Sequence, residues 1–267
     1  MAEKTDLEKI LSNNVDVKNR RIYFGDLDDS TDGDRFTWVT VEQTIRALKY
    51  LESLNKKPIE LHMSSPGGDA LNMLRLYDHI MASSCQIRFF GGGFIASSAS
   101  YIMCGCDERF LYPNTRVMVH KGNGGMDGDA TFTDSMIETK QCQKLDDDCN
   151  TIYANNSKMP FEFWHEFTKR DLWLTAEETI QLGLADKIVE PKKRGNLRRS
   201  RIAIMNRSID KKEMARLIRE LSKRIDNPKT FKIVVDIPKE ECDKELTVEK
   251  EKENPKAPDE SSPLIVF

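Results

Sequence analysis

Gln86-Ile-Arg-Phe-Phe90 runs into Gly91-Gly-Gly-Phe-Ile-Ala-Ser-Ser-Ala-Ser-Tyr-Ile-Met103, an apolar segment that gives way to glycines and then to a helix-compatible run. This order predicts a strand that ends in glycines and turns straight into a helix near Ser97 and Ser98. At such a turn, backbone N–H groups and the positive end of the helix dipole gather where the two hydroxyls sit. A hydroxyl placed there is positioned to attack a carbonyl and have the resulting oxyanion held nearby. Taken alone, a small-residue strand-to-helix turn more often serves tight packing than catalysis, so the weight falls on what flanks it.

Upstream, Thr40 and Gln43 read as a capping box, and Val41, Ile45, Leu48, Leu51 and Leu54 follow at helical spacing until Pro58. Ile59-Glu-Leu-His-Met63 alternates as a strand does and is broken by Ser64-Ser-Pro-Gly-Gly68. From Asp69, Leu71, Leu74, Tyr77, Ile80 and Met81 mark a second helix. Strand, helix, strand, helix in this rhythm predicts parallel strands with right-handed crossovers, hence a layered α/β domain. Ligands of parallel sheets gather at the carboxyl ends of strands, so the glycines at 67–68 and 91–93 are expected to face one site. Further upstream, Arg21-Ile-Tyr-Phe24 is a short strand, and the acidic run from Asp26 to Asp34 lacks the ligand order of a calcium-binding loop. It reads as a solvated loop.

Downstream, Asp107-Glu-Arg-Phe-Leu-Tyr112 is followed by a turn at Pro113-Asn114 and by Thr115-Arg-Val-Met-Val-His120, a short apolar strand, and a glycine-rich stretch continues to Gly128. Thr131 or Thr133 caps a long helix reaching about Ala154. Its apolar residues are sparse enough to predict an outrigger, with Phe132, Met136, Ile137, Leu145, Ile152 and Tyr153 facing a neighbour. Pro160 to Phe167 is a short aromatic helix, Leu172-Trp-Leu174 a strand, and Thr175-Ala-Glu-Glu178 a capped helix start ended by Gly183. His62 and His79 read as structural and His165 as a surface residue.

With 39 % hydrophobic and 32 % charged residues among 267, the chain is long enough for one core plus an appendage. A net charge of -3 does not support nucleic acid as a general partner. The six cysteines show no CxxC pairs or Cys/His clusters, which predicts reduced thiols and no zinc site. No stretch approaches the roughly 18 apolar residues of a membrane span, and the charged N-terminus lacks the apolar core of a signal peptide. A cytoplasmic location is the expectation.

Four motifs, in order and at near-family spacing, resemble the Clp-type proteolytic subunit, the ClpP family of serine peptidases. They are Ser64-Ser-Pro-Gly-Gly68; Gly93-Phe-Ile-Ala-Ser97; Tyr112-Pro-Asn-Thr-Arg-Val-Met-Val-His120; and Arg170-Asp-Leu-Trp-Leu-Thr-Ala176 with its continuation from Glu178 through Ile188. The resemblance covers roughly residues 20 to 190 and implies a ClpP/crotonase-like layered β-α superhelix with a protruding handle helix. It implies Ser97 as nucleophile, His120 as general base and acid, and Asp171 as the carboxylate orienting the imidazole. The chemistry asks for this division, because a serine hydroxyl is a poor nucleophile until a base takes its proton and a third group fixes that base. Family logic assigns the oxyanion donors to the backbone N–H groups of Gly68 and Ser98. It places an extended peptide beside Gly67, Gly68 and the segment Gly122, Asn123, Gly124, Gly125. No metal or cofactor is implied. The implied partners are protein or peptide substrate, copies of the chain in paired heptameric rings joined through the handle, and an ATP-driven AAA+ unfoldase.

This chain also departs from the family. Ser98 and Ala99 stand where many members have Met-Gly, and Ser98-Ala99-Ser100 is closer to phage and prophage variants. The two adjacent hydroxyls leave Ser97 and Ser98 as alternative nucleophiles, with the motif spacing favouring Ser97. A phage-type head-maturation protease and a catalytically silent subunit of a mixed ring remain as alternative functions, and a crotonase-like acyl-CoA enzyme shares the general fold. Residues 1–20 read as an arm, 21–190 as the protease domain, 191–238 as a basic linker with a helix-strand appendage, and 239–267 as a disordered tail. The basic residues Lys192-Lys-Arg194 and Arg198-Arg-Ser-Arg201 read as a solvated linker. Ser208 is expected to cap the appended helix, and the apolar end Leu264-Ile-Val-Phe267 to dock into a groove or fray.

Overall fold

The computed structural model describes residues 14–25, 35–122, 131–190 and 209–225, with the backbone of two short strands at 232–234 and 264–266. The acidic loop, most of the glycine-rich segment, the basic linker and residues 239–263 lie outside the described residues. In chain order the elements begin with β1 (Val15–Asp16), β2 (Arg21–Tyr23), β3 (Arg35–Phe36), α1 (Trp38–Leu54), β4 (Ile59–Ser65), β5 (Gly67–Gly68) and α2 (Ala70–Met81). Then come β6 (Ile87–Ala96), α3 (Ser98–Cys104), β7 (Glu108–Leu111), β8 (Arg116–Val119), α4 (Phe132–Asn155) and α5 (Phe161–Phe167). The chain closes with β9 (Leu172–Thr175), α6 (Ala176–Gln181), β10 (Lys187–Ile188), α7 (Lys211–Arg224), β11 (Lys232–Val234) and β12 (Leu264–Val266).

The main sheet has eight strands, in the order β1-β2-β4-β6-β7-β10, with β8 on the far half of β6 and β9 on β8. Pairing is parallel from β2 through β10 and antiparallel at β1–β2 and β8–β9. Strand alternation sends Ile59, Leu61 and Met63 of β4 and Ile87 and Phe89 of β6 into the core, against Leu48 and Leu51 of α1 and Met73 and Leu76 of α2. The opposite face is only half covered. There Tyr23, His62, Phe90 and Phe110 stand in register on four neighbouring strands, their rings 5.3, 4.9 and 4.9 Å apart.

Strand β6 does not end at Phe90. It runs through the glycines to Ala96, pairing with β7 up to Gly91 and with β8 from Phe94 onward. Gly93 takes φ +63, a bend open to glycine at no steric cost, and here the strand changes partner. The glycines are thus the point where the sheet splits, and the split carries Ser97 away from β7 to the end of β8.

Caps shift two helix starts relative to expectation. Helix α1 begins at Trp38, capped by Thr37, whose hydroxyl oxygen accepts the Thr40 N–H; Thr40 is the third helical residue, and its hydroxyl oxygen accepts the Thr37 N–H in return. Helix α7 is capped by Asp210, whose partner is Glu213. Residues from Asn14 to Arg20, expected in a loose arm, carry edge strand β1, and the Arg20 guanidinium bonds the Leu51, Lys57 and Pro58 carbonyls. Met214, Leu217, Ile218 and Leu221 of α7 are buried on the domain, and Arg224 bonds Glu178. The apolar chain end forms β12, which pairs in parallel with β11 of the same chain.

Helix α4 has two parts. Residues from Thr133 to Lys144 are largely exposed, whereas Cys149, Asn150 and Tyr153 are buried against α3 and the rings of α5. Tyr153 therefore turns inward, against the expectation that it faces a neighbour, because the last turns of α4 lie on the core. Burial pushes the Cys104 and Cys149 thiols up to about 12, which leaves both as neutral apolar packing. Among the described residues, no helix is long and apolar enough to cross a membrane.

Candidate active site

Register brings the three sequence-predicted side chains together. Parallel pairing of β6 with β8 sets Ala96 opposite Met118, so Ser97 and His120 leave adjacent strand ends; antiparallel pairing of β8 with β9 sets Val119 opposite Leu172, next to Asp171. The Ser97 N–H donates to the Met118 carbonyl at 2.9 Å. His120 Nε2 lies 2.8 Å from Ser97 Oγ, a hydrogen bond of ordinary length. On the other side of the ring, Nδ1 is 3.4 Å from Asp171 Oδ1. The imidazole is mostly buried, while the Asp171 side chain is 62 % exposed.

Ser97 sits at φ +54, a left-handed conformation that costs a non-glycine residue on the order of 1–3 kcal/mol and is tolerated where the surroundings enforce it. Here the strand before it, the helix after it and the Met118 carbonyl do so. The result is a serine whose side chain projects at the mouth of the split sheet. Ser98 is different in kind: it is buried, and its hydroxyl donates to the Gly68 carbonyl at 2.8 Å. Of the two adjacent hydroxyls, only that of Ser97 meets the imidazole.

The two glycine segments do face one place. A Cβ on Gly67, at φ +98, would stand 2.6 Å from Ser97 Cβ and 2.9 Å from the Ser98 nitrogen. A Cβ on Gly68 would stand 2.6 Å from the Phe36 nitrogen. Only a chain without side chains fits between β3 and the serine turn. Strand β5 is fixed on one edge by β3, with the Asp69 N–H donating to the Phe36 carbonyl at 3.0 Å. On its other side β5 meets the serine turn, where the Gly68 carbonyl accepts the Ser98 hydroxyl at 2.8 Å.

Gly122 is placed by a residue that the sequence gives no local sign of. Asp146, on α4, accepts the Gly122 N–H at 3.1 Å and stands 3.8 Å from the Lys121 ammonium. It thereby directs the segment leaving His120. Asn123, Gly124 and Gly125 lie outside the described residues. Among the described residues, no group of three or more His, Cys, Asp or Glu side chains is arranged to hold a metal ion.

A serine hydroxyl against an imidazole, a carboxylate behind it and a bare glycine backbone alongside form the geometry of acyl transfer at a carbonyl. Comparison with known proteins gives the family. The chain is similar to the ATP-dependent Clp protease proteolytic subunit of Paracoccus denitrificans, at 32 % identity over 150 residues, 55 % of this chain and 74 % of that protein. It is also similar to the protein of the same name from Porphyromonas gingivalis (strain ATCC BAA-308 / W83), at 33 % identity over 146 residues, 54 % of this chain and 65 % of that one. The pattern described as Clp protease matches residues 32–192, a span that takes in Ser97, His120, Asp171 and both glycine segments, and the chain belongs to that family.

Proposed function

We propose that this protein is a serine endopeptidase of a self-compartmentalising ring, and that Ser97, His120 and Asp171 are its catalytic residues. The observation that carries the reading is the 2.8 Å approach of His120 Nε2 to Ser97 Oγ on a serine held at positive φ. In the first step Ser97 Oγ attacks the scissile carbonyl carbon while its proton passes to Nε2. The carbonyl π-pair moves onto oxygen, and the N–H groups of Gly68 and Ser98 receive that oxyanion. Collapse of the tetrahedral intermediate breaks the C–N bond, and the imidazolium returns its proton to the leaving amine. Water, deprotonated by the same imidazole, then releases the acyl group from Ser97. Asp171 keeps the Nδ1 proton in place; its 3.4 Å separation is loose for an ion pair, as such contacts often are before substrate is bound.

Substrate lies extended along β5 and the Gly122 segment, contributing main-chain hydrogen bonds as an added strand. Recognition of this kind reads backbone before side chains and predicts modest selectivity. Copies of the chain assemble through α4, and an ATP-driven unfoldase delivers folded proteins.

Two measurements test the reading. A serine-reactive phosphonate should label Ser97, and Ser97→Ala should lower kcat on a fluorogenic peptide by about 10⁶-fold, as expected where the nucleophile acts as part of a unit. Labelling of Ser98 with activity retained in Ser97→Ala would overturn the assignment.

A further inference from the structure

Tyr153 closes the last turn of α4, fully buried, with its ring stacked 4.3 Å from Tyr101 and tilted 5.0 Å from Trp164. Its phenol oxygen lies 2.6 Å from Ser100 Oγ, and Ser100 Oγ lies 2.6 Å from the Ser97 carbonyl oxygen. The proton directions follow from chemistry alone. A carbonyl only accepts, so the single Ser100 hydroxyl proton goes to Ser97, and the Tyr153 phenol must donate to Ser100. Burial pushes the Tyr153 phenol well above its ordinary pKa, which preserves that proton throughout the neutral range.

The Ser97 carbonyl therefore holds two donors, the Ser100 hydroxyl and the Ser100 N–H at 2.9 Å. This carbonyl shares a peptide plane with the N–H of Ser98. The plane is rigid and the two groups point in opposite directions, so whatever fixes the oxygen fixes the amide. The constraint matters at a residue in a strained backbone conformation, which relaxes unless its surroundings hold it. A donor aimed at a developing charge is effective only when its orientation is set beforehand.

We propose that Tyr153 and Ser100 form a relay, from the handle helix α4 to the serine turn, that orients the Ser97–Ser98 peptide so that its N–H faces the oxyanion of the intermediate. Tyr153 is then a positioning residue for hydrolysis, acting through Ser100 without touching substrate. The inference rests on the peptidase reading above and goes beyond it by giving a buried, non-contacting side chain a share in stabilising the transition state. The plainer role for the same residue is packing, and the two roles separate because Tyr153→Phe keeps both ring contacts and removes only the phenol oxygen.

The test uses the full chain with Tyr153→Phe and Ser100→Ala, singly and together, measuring kcat and KM separately on a fluorogenic peptide, inhibition by a peptide aldehyde, and the unfolding temperature. The aldehyde forms a hemiacetal with the serine whose oxygen occupies the oxyanion position. Each single variant should lower kcat on the order of tenfold, a fraction of the loss expected from removing an oxyanion donor outright. KM should stay within error and aldehyde affinity should fall in parallel with kcat. The double variant should be no worse than Ser100→Ala, because the two groups act in series. An unchanged kcat in both single variants, whatever the unfolding temperature does, overturns the relay, as does a loss confined to KM. Ser97→Ala run alongside separates the failures: activity surviving in that variant removes the peptidase reading itself, whereas its loss together with full activity in Tyr153→Phe removes the relay alone.

Discussion

At the scale of single residues, the three proposed catalytic side chains are unequally held. Ser97 and His120 are fixed by strand pairing and by their own bond, but Asp171 stands immediately before β9 with a largely exposed carboxylate, 3.4 Å from the ring. A carboxylate in water contributes less electrostatic stabilisation to an imidazolium than a buried one does. Asp171→Asn is therefore expected to cost less than loss of the nucleophile, roughly 10³- to 10⁴-fold in kcat against about 10⁶-fold. Single-turnover measurement of acyl-enzyme formation in the two variants checks the ranking, and equal losses would mean that the carboxylate acts from a tighter geometry than the one seen. Ser97 was readable from the glycine-rich strand and helix-compatible run around it, whereas His120 and Asp171 were readable through the family motifs that contain them, since neither a strand-end histidine nor a lone aspartate marks a site by itself. Tyr153 and Asp146 were not readable, since both sit inside a helix whose apolar pattern is too sparse to show which side meets the core. Only the docking of α4 on α3 and α5 decides that.

At the scale of elements, the appended helix α7 is tied to the domain through Glu178, beneath the strand that follows Asp171. The Glu178 carboxylate takes Arg224 at 2.6 and 3.1 Å and the Thr175 N–H at 2.8 Å. Burial acts to raise its pKa, but the bonds from Arg224 and Thr175 outweigh burial and leave it below the ordinary 4.5. A carboxyl with a depressed folded pKa contributes stability that is whole above its unfolded value and is lost as pH falls through the folded one. Protection of the α7 amides, taken relative to their intrinsic exchange rates, should accordingly be high at neutral pH and fall below about pH 4.5. Arg224→Ala, which removes a half-exposed partner, should cost roughly 1 kcal/mol of docking and flatten the Arg224-dependent part of that response. Identical pH profiles in the two proteins would show that α7 is held by its apolar face alone. That apolar face was legible from its helical spacing, but the cap was not: Ser208 was the expected cap, whereas Asp210 has a glutamate three positions on to return the bond. The same limit explains β6. Glycines usually end strands, and nothing local distinguishes a terminus from a point where a strand exchanges one neighbour for another.

At the scale of the whole molecule, α4 is half embedded and half unsupported. Its inner turns pack on the core, while from Thr133 to Lys144 about three turns stand clear of it, capped at Thr131 by a reciprocal bond with Asp134. A short helical stretch without tertiary contacts is marginal in water, because most helix stability in proteins comes from packing of one face. Met136 and Ile137, 48 % and 56 % exposed, are large apolar groups on that stretch. Under the proposed assembly a second copy of α4 lies against the first, which is how the sequence resemblance would join two rings. Met136→Asp with Ile137→Asp places charge on the contact without touching Cys149, Asn150 or Tyr153 at the buried end. Multi-angle light scattering should then show the wild-type particle reduced to half its mass. Peptidase activity per protomer should fall less than the mass does, since the inner turns that carry Tyr153 remain packed on the core. Retention of the full mass by the double variant would place the contact between rings elsewhere and leave the outer part of α4 as a surface helix.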